Sequence, residues 1–314
     1  MTMKIVEPGM TRIGWIGTGV MGRWMCEHIM KAGYPATVFN RSRQKAQPLI
    51  ELGAKLAASP REVAANSDVV FSIVGMPHDV RDVILGQDGV LAGAASGAIV
   101  VDMTTSEPGL AVEIAQQAEQ RGMVSLDAPV TGGDVGAKNA TLSIMIGGRV
   151  DAMSAIRPLF DCMGKTIIHH GGPGCGQHAK MVNQILISSN MVAICEALLY
   201  GVRAGLNMDE VLKSVSIGAA GSKALEVLGT RILSGDFEPG FYVEHFIKDM
   251  GIALDEARKM NIGLPGLALA KQLYEIVRAR GYGRKGTQVL FQALQEINAP
   301  SSSGEPSARP GSRL

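Results

Sequence analysis

The fold of this 314-residue chain is decided by the stretch Ile13-Gly14-Trp15-Ile16-Gly17-Thr18-Gly19-Val20-Met21-Gly22. An apolar run leads into the spacing G-x-G-x-x-G, and an amphipathic helical pattern follows it. Gly17 permits a tight turn, Gly19 lets a pyrophosphate approach the backbone, and Gly22 lets the helix pack closely. Free amides at the helix N-terminus would face the phosphates. A turn-rich strand connection without a ligand is the alternative. We predict a dinucleotide site at Gly17, Thr18, Gly19, Val20, Met21 and Gly22.

The end of the predicted second strand bears on the choice of cofactor. NAD-binding chains often carry an acidic residue there, which accepts hydrogen bonds from the ribose 2′-hydroxyl. This chain has Asn40-Arg41-Ser42-Arg43 instead, so two guanidinium groups are available to a 2′-phosphate. We predict that Asn40, Arg41 and Ser42 bind NADP(H), with NAD(H) as the second choice. An exposed polar turn is the alternative interpretation.

Short apolar runs alternate with helical patterns through the first half of the chain. Runs rich in Val, Ile or Phe predict strands at 12–17, 36–40, 68–74, 98–102, 123–127 and 142–147. Helical patterns between them cover 20–31, 43–52, 80–84 and 108–121. This alternation predicts an α/β fold of the Rossmann type, with a doubly wound, mainly parallel sheet and helices on both faces.

Strand patterns stop after Gly176, and long helical periodicity replaces them. Helices are predicted at 180–204, 208–216, 223–233, 243–260, 267–280 and 287–298. Glycine and proline cluster at 171–174, which predicts a boundary there. We expect a dinucleotide-binding domain at 11–173, an all-helical substrate and oligomerisation domain at 174–299, and a disordered tail at 300–314 rich in Ser, Pro, Gly and Arg.

Composition limits the possible partners and compartments. The formal net charge is only +1, which gives no electrostatic case for nucleic acid or an acidic membrane. We expect no apolar run to reach the 18 residues of a membrane span, and therefore a soluble, cytoplasmic protein. The four cysteines are irregularly spaced, as suits free thiols in a reducing compartment. The terminal Ser312-Arg313-Leu314 is close to a peroxisomal address, so peroxisomal import is the alternative.

Two further motifs could bind a small carboxylate and carry out proton transfer. In Asp127-Ala128-Pro129-Val130-Thr131-Gly132-Gly133, the Thr131 hydroxyl and the amides of Gly132 and Gly133 can converge on a carboxylate, although a structural turn is equally compatible with these residues. In Gly174-Cys175-Gly176-Gln177-His178-Ala179-Lys180-Met181-Val182-Asn183, Lys180 and Asn183 project from one helix face.

With these motifs the chain resembles the β-hydroxyacid dehydrogenases, the family of 3-hydroxyisobutyrate dehydrogenase, over about residues 11–299. It is most similar to the plant 3-hydroxyisobutyrate dehydrogenase-like proteins, on Asp102-Met103-Thr104-Thr105-Ser106-Glu107-Pro108 and Gly218-Ala219-Ala220-Gly221-Ser222-Lys223. The resemblance implies that Met76, Pro77 and Thr105 contact the cofactor. Family members usually carry serine where this chain has Thr131, and the extra methyl group should narrow the substrate pocket.

The resemblance also implies the chemistry. Lys180 would be the general acid/base for hydride transfer between NADP(H) and a small β-hydroxy acid or semialdehyde acid, with Asn183 orienting the substrate hydroxyl. Lys248, in Phe246-Ile247-Lys248-Asp249, would contact substrate and cofactor and help lower the pKa of Lys180. Homologues pack their helical half against a partner, so a homodimer or homotetramer is expected.

Two other functions stay open from the sequence. A catalytically silent NADP-binding scaffold would keep the fold without the reaction, and retention of Lys180 argues against it. An NADPH-dependent imine reductase would use the same architecture but usually lacks this lysine. The six histidines show no spacing that gathers them at a metal, so no metal site is predicted.

Overall fold

The computed structural model describes residues 5–299. The predicted disordered tail and its terminal tripeptide lie outside the described residues. Within them, nine strands form one sheet. The strands are Ile13–Ile16 (β1), Ala36–Phe39 (β2), Lys55–Leu56 (β3), Val69–Ser72 (β4), Ile99–Asp102 (β5), Val124–Asp127 (β6), Val130–Thr131 (β7), Leu142–Gly148 (β8) and Gly164–Gly171 (β9).

Helices cover both faces of the sheet and then form the second half of the chain. Those before β9 are Gly22–Lys31 (α1), Gln47–Glu51 (α2), Pro60–Ala65 (α3), Pro77–Leu85 (α4), Val90–Gly93 (α5), Pro108–Glu119 (α6), Gly133–Lys138 (α7), Val150–Ala155 (α8) and Arg157–Asp161 (α9). Those after it are Cys175–Arg203 (α10), Met208–Val215 (α11), Thr230–Leu233 (α12), Val243–Lys259 (α13), Pro265–Val277 (α14) and Leu290–Ile297 (α15).

The sheet is mainly parallel, as predicted. Its strand order is β3-β2-β1-β4-β5-β6-β8-β7, with β9 pairing to β8, and only the β6–β8 and β7–β8 pairs are antiparallel. The chain winds outward from β1 through β2 and β3, then returns to β4 on the other side of β1. Ligands of doubly wound sheets bind at such a reversal, which places the Gly17–Gly22 turn at the expected edge.

Alternate residues of the buried strands face two different cores. Val69 and Phe71 of β4 join one apolar cluster, whereas Val70 joins the cluster on the opposite face. Trp15 stacks on Phe71 with ring centroids 5.3 Å apart. Burial on both faces explains why these strands read as continuous apolar runs in the sequence.

The helical half has its own apolar cluster, formed by buried side chains of α10, α13, α14 and α15. Phe246 and Tyr274 meet edge to face there, with ring centroids 5.0 Å apart. The periodic apolar residues of the sequence form this cluster, as expected of amphipathic helices. The structure therefore confirms a Rossmann-type half followed by a helical half.

Several local features differ from the sequence-based expectations. Strands β3, β7 and β9 and five of the short helices were not predicted; two of these strands have only two residues, and β9 has only two large apolar residues, Ile167 and Ile168. The predicted helices 223–233 and 267–280 contain or adjoin π-helical turns at Leu225–Gly229 and Arg278–Tyr282. In the second case Gly281 adopts a φ of 87°, which ends the regular helix.

The expectation that no apolar run is long enough to cross a membrane is wrong for α10. Its 29 residues include a stretch that meets the length and composition of a membrane span. A single helix of this kind is weak evidence, because core helices of soluble proteins meet the same criteria. In this chain the helix packs on β8, α13 and α15 and buries Gln177, Lys180, Gln184 and Ser188.

Candidate active site

The turn after β1 has the geometry that a dinucleotide requires. Gly17 has a φ of 96°, and a Cβ there would lie 2.0 Å from the carbonyl oxygen of Ile73. A Cβ on Gly22 would lie 2.1 Å from the Gly17 carbonyl oxygen, whereas one on Gly19 would meet nothing within 4 Å. Gly17 and Gly22 are therefore needed by the fold, and Gly19 leaves open space where a ligand can approach.

Thr18 offers further support for a bound phosphate group. Its Oγ1 is buried and has no hydrogen-bond partner within residues 5–299, although buried hydroxyls are normally paired. Its backbone N–H donates to Asn40 Oδ1 at 2.9 Å, and Asn40 Nδ2 donates to the Ser42 carbonyl oxygen at 2.9 Å. Asn40 thus ties the glycine turn to the end of β2. An unpaired hydroxyl beside an open glycine fits a pyrophosphate oxygen.

Arg41 meets a carboxylate that the sequence pattern did not reveal. Its side chain is 88% exposed, and its Nη1 lies 3.1 Å from Asp79 Oδ1. Asp79 is in the first turn of α4, where its Oδ2 accepts a hydrogen bond from the Met76 N–H at 3.1 Å. Met76 is the N-cap and Pro77 the first residue of α4. Arg41 therefore has a carboxylate neighbour, Asp79, even though no acidic residue stands at the end of β2.

The predicted carboxylate cradle follows β7. Thr131 ends that short strand, Gly132 has a φ of 126°, and Gly133 has a φ of 64° and begins α7. A Cβ on Gly133 would meet nothing within 4 Å, so there is open space beside this residue. Helix α10 contacts β7, which brings the Thr131 turn near the helix that carries Lys180.

A carboxylate from the sheet holds the first turn of α10. Asp127 is the last residue of β6, and its two side-chain oxygens accept hydrogen bonds from the N–H groups of Gly174 and Gln177, each at 2.8 Å. Burial raises the pKa of Asp127, and these backbone hydrogen bonds oppose the rise. The carboxylate satisfies amides that the helix itself leaves unpaired. It therefore fixes the helix that carries Lys180 against the sheet.

Lys180 is buried beside two other charged side chains. It is 7% exposed, and burial lowers the pKa of its ammonium to about 8; Asp249 opposes the fall and Lys248 adds to it. Lys248 Nζ lies 2.9 Å from Asp249 Oδ1 and donates to the Thr105 carbonyl oxygen at 2.5 Å. A lysine whose pKa is near neutrality can both give and take a proton.

A chain of hydrogen bonds joins Asn183 to this charged cluster. Asn183 Nδ2 donates to Gln184 Oε1 at 2.7 Å, and Gln184 Nε2 donates to Asp249 Oδ2 at 2.6 Å. Gln184 is 2% exposed and Asp249 is 1% exposed. The structure thus links the predicted residues Asn183 and Lys248 through two side chains that had been given no role.

Sequence reasoning missed Gln184, Asp249 and His245. Asp249 follows Lys248 directly and, without a family resemblance, reads as part of an exposed ion pair, but the structure buries it. His245 precedes Lys248 by one helical turn, and burial, followed by Lys248, lowers its pKa. A Cβ on Gly75 would lie 3.8 Å from His245 Nε2, so this ring borders the Met76 loop. Hydrophobic periodicity alone gave no signal for any of the three.

Two polar residues at the sheet edge complete the surroundings of Thr105. Asp102 Oδ1 accepts from Ser72 Oγ at 2.8 Å and from the Thr104 N–H at 3.2 Å. Burial raises the pKa of Asp102 to about 6, against the lowering effect of these hydrogen bonds.

No group of three or more His, Cys, Asp or Glu side chains that could hold a metal occurs in the described part of the chain. The four cysteines are free thiols.

Known proteins match both halves of the chain. Residues 12–172 match the family model for the NAD binding domain of 6-phosphogluconate dehydrogenase, and residues 174–294 match that for the NAD-binding domain of NADP-dependent 3-hydroxyisobutyrate dehydrogenase. A probable mitochondrial 3-hydroxyisobutyrate dehydrogenase-like protein 1 of Arabidopsis thaliana is 54% identical over 94% of this chain and 88% of its own length.

Solved structures agree with these matches. A 3-hydroxyisobutyrate dehydrogenase of Mycobacterium tuberculosis, solved with L-serine, superposes with a TM-score of 0.82 at 29% identity, covering 91% of this chain and 99% of that one. Psf3 in complex with NADP+ and 2-OPP gives a TM-score of 0.83 at 28% identity, covering 90% and 99%. The fold and site define an NAD(P)-dependent oxidoreductase that acts on a CH–OH group. The chain belongs to the β-hydroxyacid dehydrogenase family, alongside the 3-hydroxyisobutyrate dehydrogenases.

Proposed function

We propose that this enzyme transfers a hydride between NADP(H) and a short β-hydroxy acid or semialdehyde acid, with Lys180 as general acid/base. The observation that carries the proposal is the buried Lys180, whose pKa is lowered to about 8 beside Lys248 and Asp249. The relatives support the substrate class, since one solved homologue is a 3-hydroxyisobutyrate dehydrogenase with L-serine. A buried lysine with a lowered pKa also argues against a catalytically silent NADP-binding scaffold.

The role of Lys180 follows from the negative charge that develops on the substrate oxygen during hydride transfer. The bound cofactor supplies or accepts the hydride at the substrate carbon. During reduction the electron pair of the C=O bond moves onto oxygen, and Lys180 Nζ donates a proton there. During oxidation the neutral Lys180 amine accepts the hydroxyl proton as the hydride leaves carbon. A positioned proton donor of this kind contributes about 10² to 10⁴ in rate.

The remaining site residues would bind and orient the substrate. The Thr131 hydroxyl and the amides of Gly132 and Gly133 would hold its carboxylate, because positive φ angles at the two glycines let these donors face one side. Asn183, held by Gln184, would orient the substrate oxygen toward Lys180. The extra methyl group of Thr131, compared with serine, favours a small acid.

We assign Gly17–Gly22, Asn40, Arg41, Ser42, Met76, Pro77, Thr105 and Lys248 to the cofactor site. The buried, unpaired Thr18 hydroxyl and the open space at Gly19 support the pyrophosphate position. Arg41 supports NADP(H) over NAD(H), because a guanidinium binds a 2′-phosphate well and its ion pair with Asp79 is exposed and weak. The solved homologue with NADP+ agrees with this choice.

Domain division, assembly and compartment are part of the same proposal. We place the domain boundary at 173–174, next to the cluster of glycine and proline at 171–174. A homodimer or homotetramer would cover apolar side chains of α10 such as Val182, Leu186 and Tyr200, which are 59%, 67% and 76% exposed. The cysteine pattern favours a reducing compartment such as the cytoplasm, although the Arabidopsis relative is described as mitochondrial.

The experiment that tests the function compares the wild type with Lys180→Ala. Glyoxylate, succinic semialdehyde, tartronate semialdehyde and 3-hydroxyisobutyrate are assayed with NADPH or NADP+. We expect Lys180→Ala to bind NADPH normally, measured by fluorescence titration, and to lose at least about 10² in kcat. Turnover of the variant at the wild-type rate would contradict the acid/base role.

Lys285→Ala is the matched control for this test. Lys285 lies on the helical half and pairs with Glu238 at the surface, so removing its charge should leave kcat within about twofold. A wild type that turns over none of these acids would contradict the proposed substrate class.

A further inference from the structure

We propose that Gln177 is a positioning residue, which holds the Thr105 segment in register with the helix that carries Lys180. The inference rests on the proposed function, because it assigns Gln177 a role in placing the cofactor side of the site against the general acid. Gln177 is fully buried, at 0% exposure, in the first turn of α10. Gln177 does not belong to the proposed substrate or cofactor contacts.

The side-chain amide of Gln177 spans Thr105. Its Nε2 donates to the carbonyl oxygen of Thr104 at 2.7 Å, and its Oε1 accepts from the N–H of Ser106 at 2.9 Å. The carbonyl oxygen of Thr105, between these two bonds, accepts from Lys248 Nζ. One amide and one ammonium thus hold three consecutive residues of the segment that the family resemblance places beside the nicotinamide.

The backbone of Gln177 is fixed from the opposite side. Its N–H donates to Asp127 Oδ2, so the residue is anchored to the sheet before its side chain reaches the Thr105 segment. Lys180 follows three residues later, about 4.5 Å further along the helix axis. A rotation or shift of the Thr105 segment relative to this turn would therefore change the distance between the hydride donor and the proton donor.

The position requires a side chain that both donates and accepts. The Thr104 carbonyl oxygen needs a donor and the Ser106 N–H needs an acceptor, and a neutral amide supplies both. Protonated glutamic acid would do the same, whereas an ionised glutamate would face the Thr104 oxygen with a negative charge. The neighbouring carboxylates, Asp127 and Asp102, would disfavour that ionised form further. Methionine has a similar length and supplies neither hydrogen bond.

These properties give a test with a pH signature. Gln177→Met should lower kcat about tenfold or more at every pH, because small displacements between reacting groups cost rate steeply. Gln177→Glu should match the Gln177→Met loss at pH 8 and recover toward the wild-type kcat as the pH falls to 5.5. The assay uses NADPH and whichever of the four acids the wild type turns over fastest.

A second readout needs neither cofactor nor turnover. Hydrogen–deuterium exchange of the Ser106 amide is measured on the cofactor-free protein and normalised to the wild type at each pH. We expect Gln177→Met to increase this exchange at pH 8 and 5.5, and Gln177→Glu to increase it at pH 8 only. Gln177→Glu alone carries the test if Gln177→Met does not fold.

Gln288→Met provides the matched control. Gln288 is 1% exposed and its Nε2 also bonds two backbone carbonyl oxygens, those of Asp236 and Glu238, in the helical half. It should lower stability comparably while leaving kcat within about twofold and Ser106 exchange unchanged. Wild-type kcat and Ser106 exchange in both Gln177 variants, or equal losses in Gln177→Glu at both pH values, would overturn the positioning role.

The Lys180→Ala result separates the two proposals. Normal turnover of Lys180→Ala would contradict the acid/base assignment. The hydrogen–deuterium exchange of the Ser106 amide would still test whether Gln177 holds the Thr105 segment. Loss of turnover in Lys180→Ala, together with wild-type behaviour of both Gln177 variants, would contradict the positioning role alone.

Discussion

The cofactor turn and the lysine cluster differ in how far apart along the chain their parts lie. The turn is made by six consecutive residues, and its shape follows from backbone geometry at Gly17 and Gly22. The lysine cluster joins Lys248 to Thr105 across 143 positions and Gln184 to Asp249 across 65. A local backbone motif can be read from the sequence, whereas a side-chain cluster of this kind depends on how two halves of the chain pack.

The largest expected effect concerns the turn. Gly17→Ala places a Cβ 2.0 Å from the Ile73 oxygen at a positive φ, so it should lower the free energy of unfolding by at least about 3 kcal/mol. Gly19→Ala is the matched variant, because its Cβ meets nothing within 4 Å. It should fold with wild-type stability and bind NADPH more weakly. Denaturant unfolding and NADPH titration measure both effects, and a Gly17→Ala protein of normal stability would break the comparison.

The next effect tests Asp102, the buried carboxyl group at the end of β5, next to the Thr105 segment. Because burial raises the pKa of Asp102 to about 6, the folded state favours its protonated form, and stability falls as the pH rises from about 4 to about 6. Asp102→Asn cannot titrate, and its Oδ1 can still accept from Ser72 and Thr104. Relative to wild type, this variant should therefore gain up to about 3 kcal/mol between pH 4 and pH 7. Urea unfolding at both pH values measures the gain, and a pH-independent difference would contradict it.

A smaller effect is expected at the adenosine end of the cofactor site. Arg41→Ala should raise the KM for NADPH about tenfold and leave the KM for NADH within about twofold, because only NADPH carries a 2′-phosphate for the guanidinium. Arg61→Ala is a suitable control, since Arg61 lies on α3 and has no assigned contact with the cofactor. Equal changes for the two cofactors would contradict the NADP(H) assignment.

The smallest effect tests the electrostatics of the lysine cluster. Asp249 opposes the lowering of the Lys180 pKa, so Asp249→Asn should lower this pKa further. The rate of reduction needs protonated Lys180 and should fall above about pH 8 in the wild type; in the variant this fall should begin at lower pH, by about one unit or less. Asp255→Asn, on the same helix but 60% exposed, should leave the profile unchanged. An unshifted profile for Asp249→Asn would show that the two side chains do not interact.

The same contrast explains which sequence-based predictions are confirmed. Apolar patterning located six of the seven strands of four or more residues and the helical second half, because strands buried on both faces leave apolar runs and helices buried on one face leave a periodic apolar pattern. It missed β9, whose exposed positions carry lysine and histidine, and it missed the burial of Asp249, because a charged pair next to a helix face reads as solvated. The expectation that no apolar run reaches the length of a membrane span was wrong for α10, which contains such a stretch.

The sequence by itself determined the dinucleotide turn, most of the alternation of strands and helices in the first half, and the position of Lys180 near the start of a helix that follows a glycine-rich segment, since each depends on residues close together in the chain. Only the tertiary structure decided the environment of that lysine. Packing of α10 and α13 against the sheet edge removes water from Lys180, places Lys248 and Asp249 beside it, and puts Gln177 across Thr105. Desolvation and charge at short range set a pKa, and both depend on distances that no local pattern records.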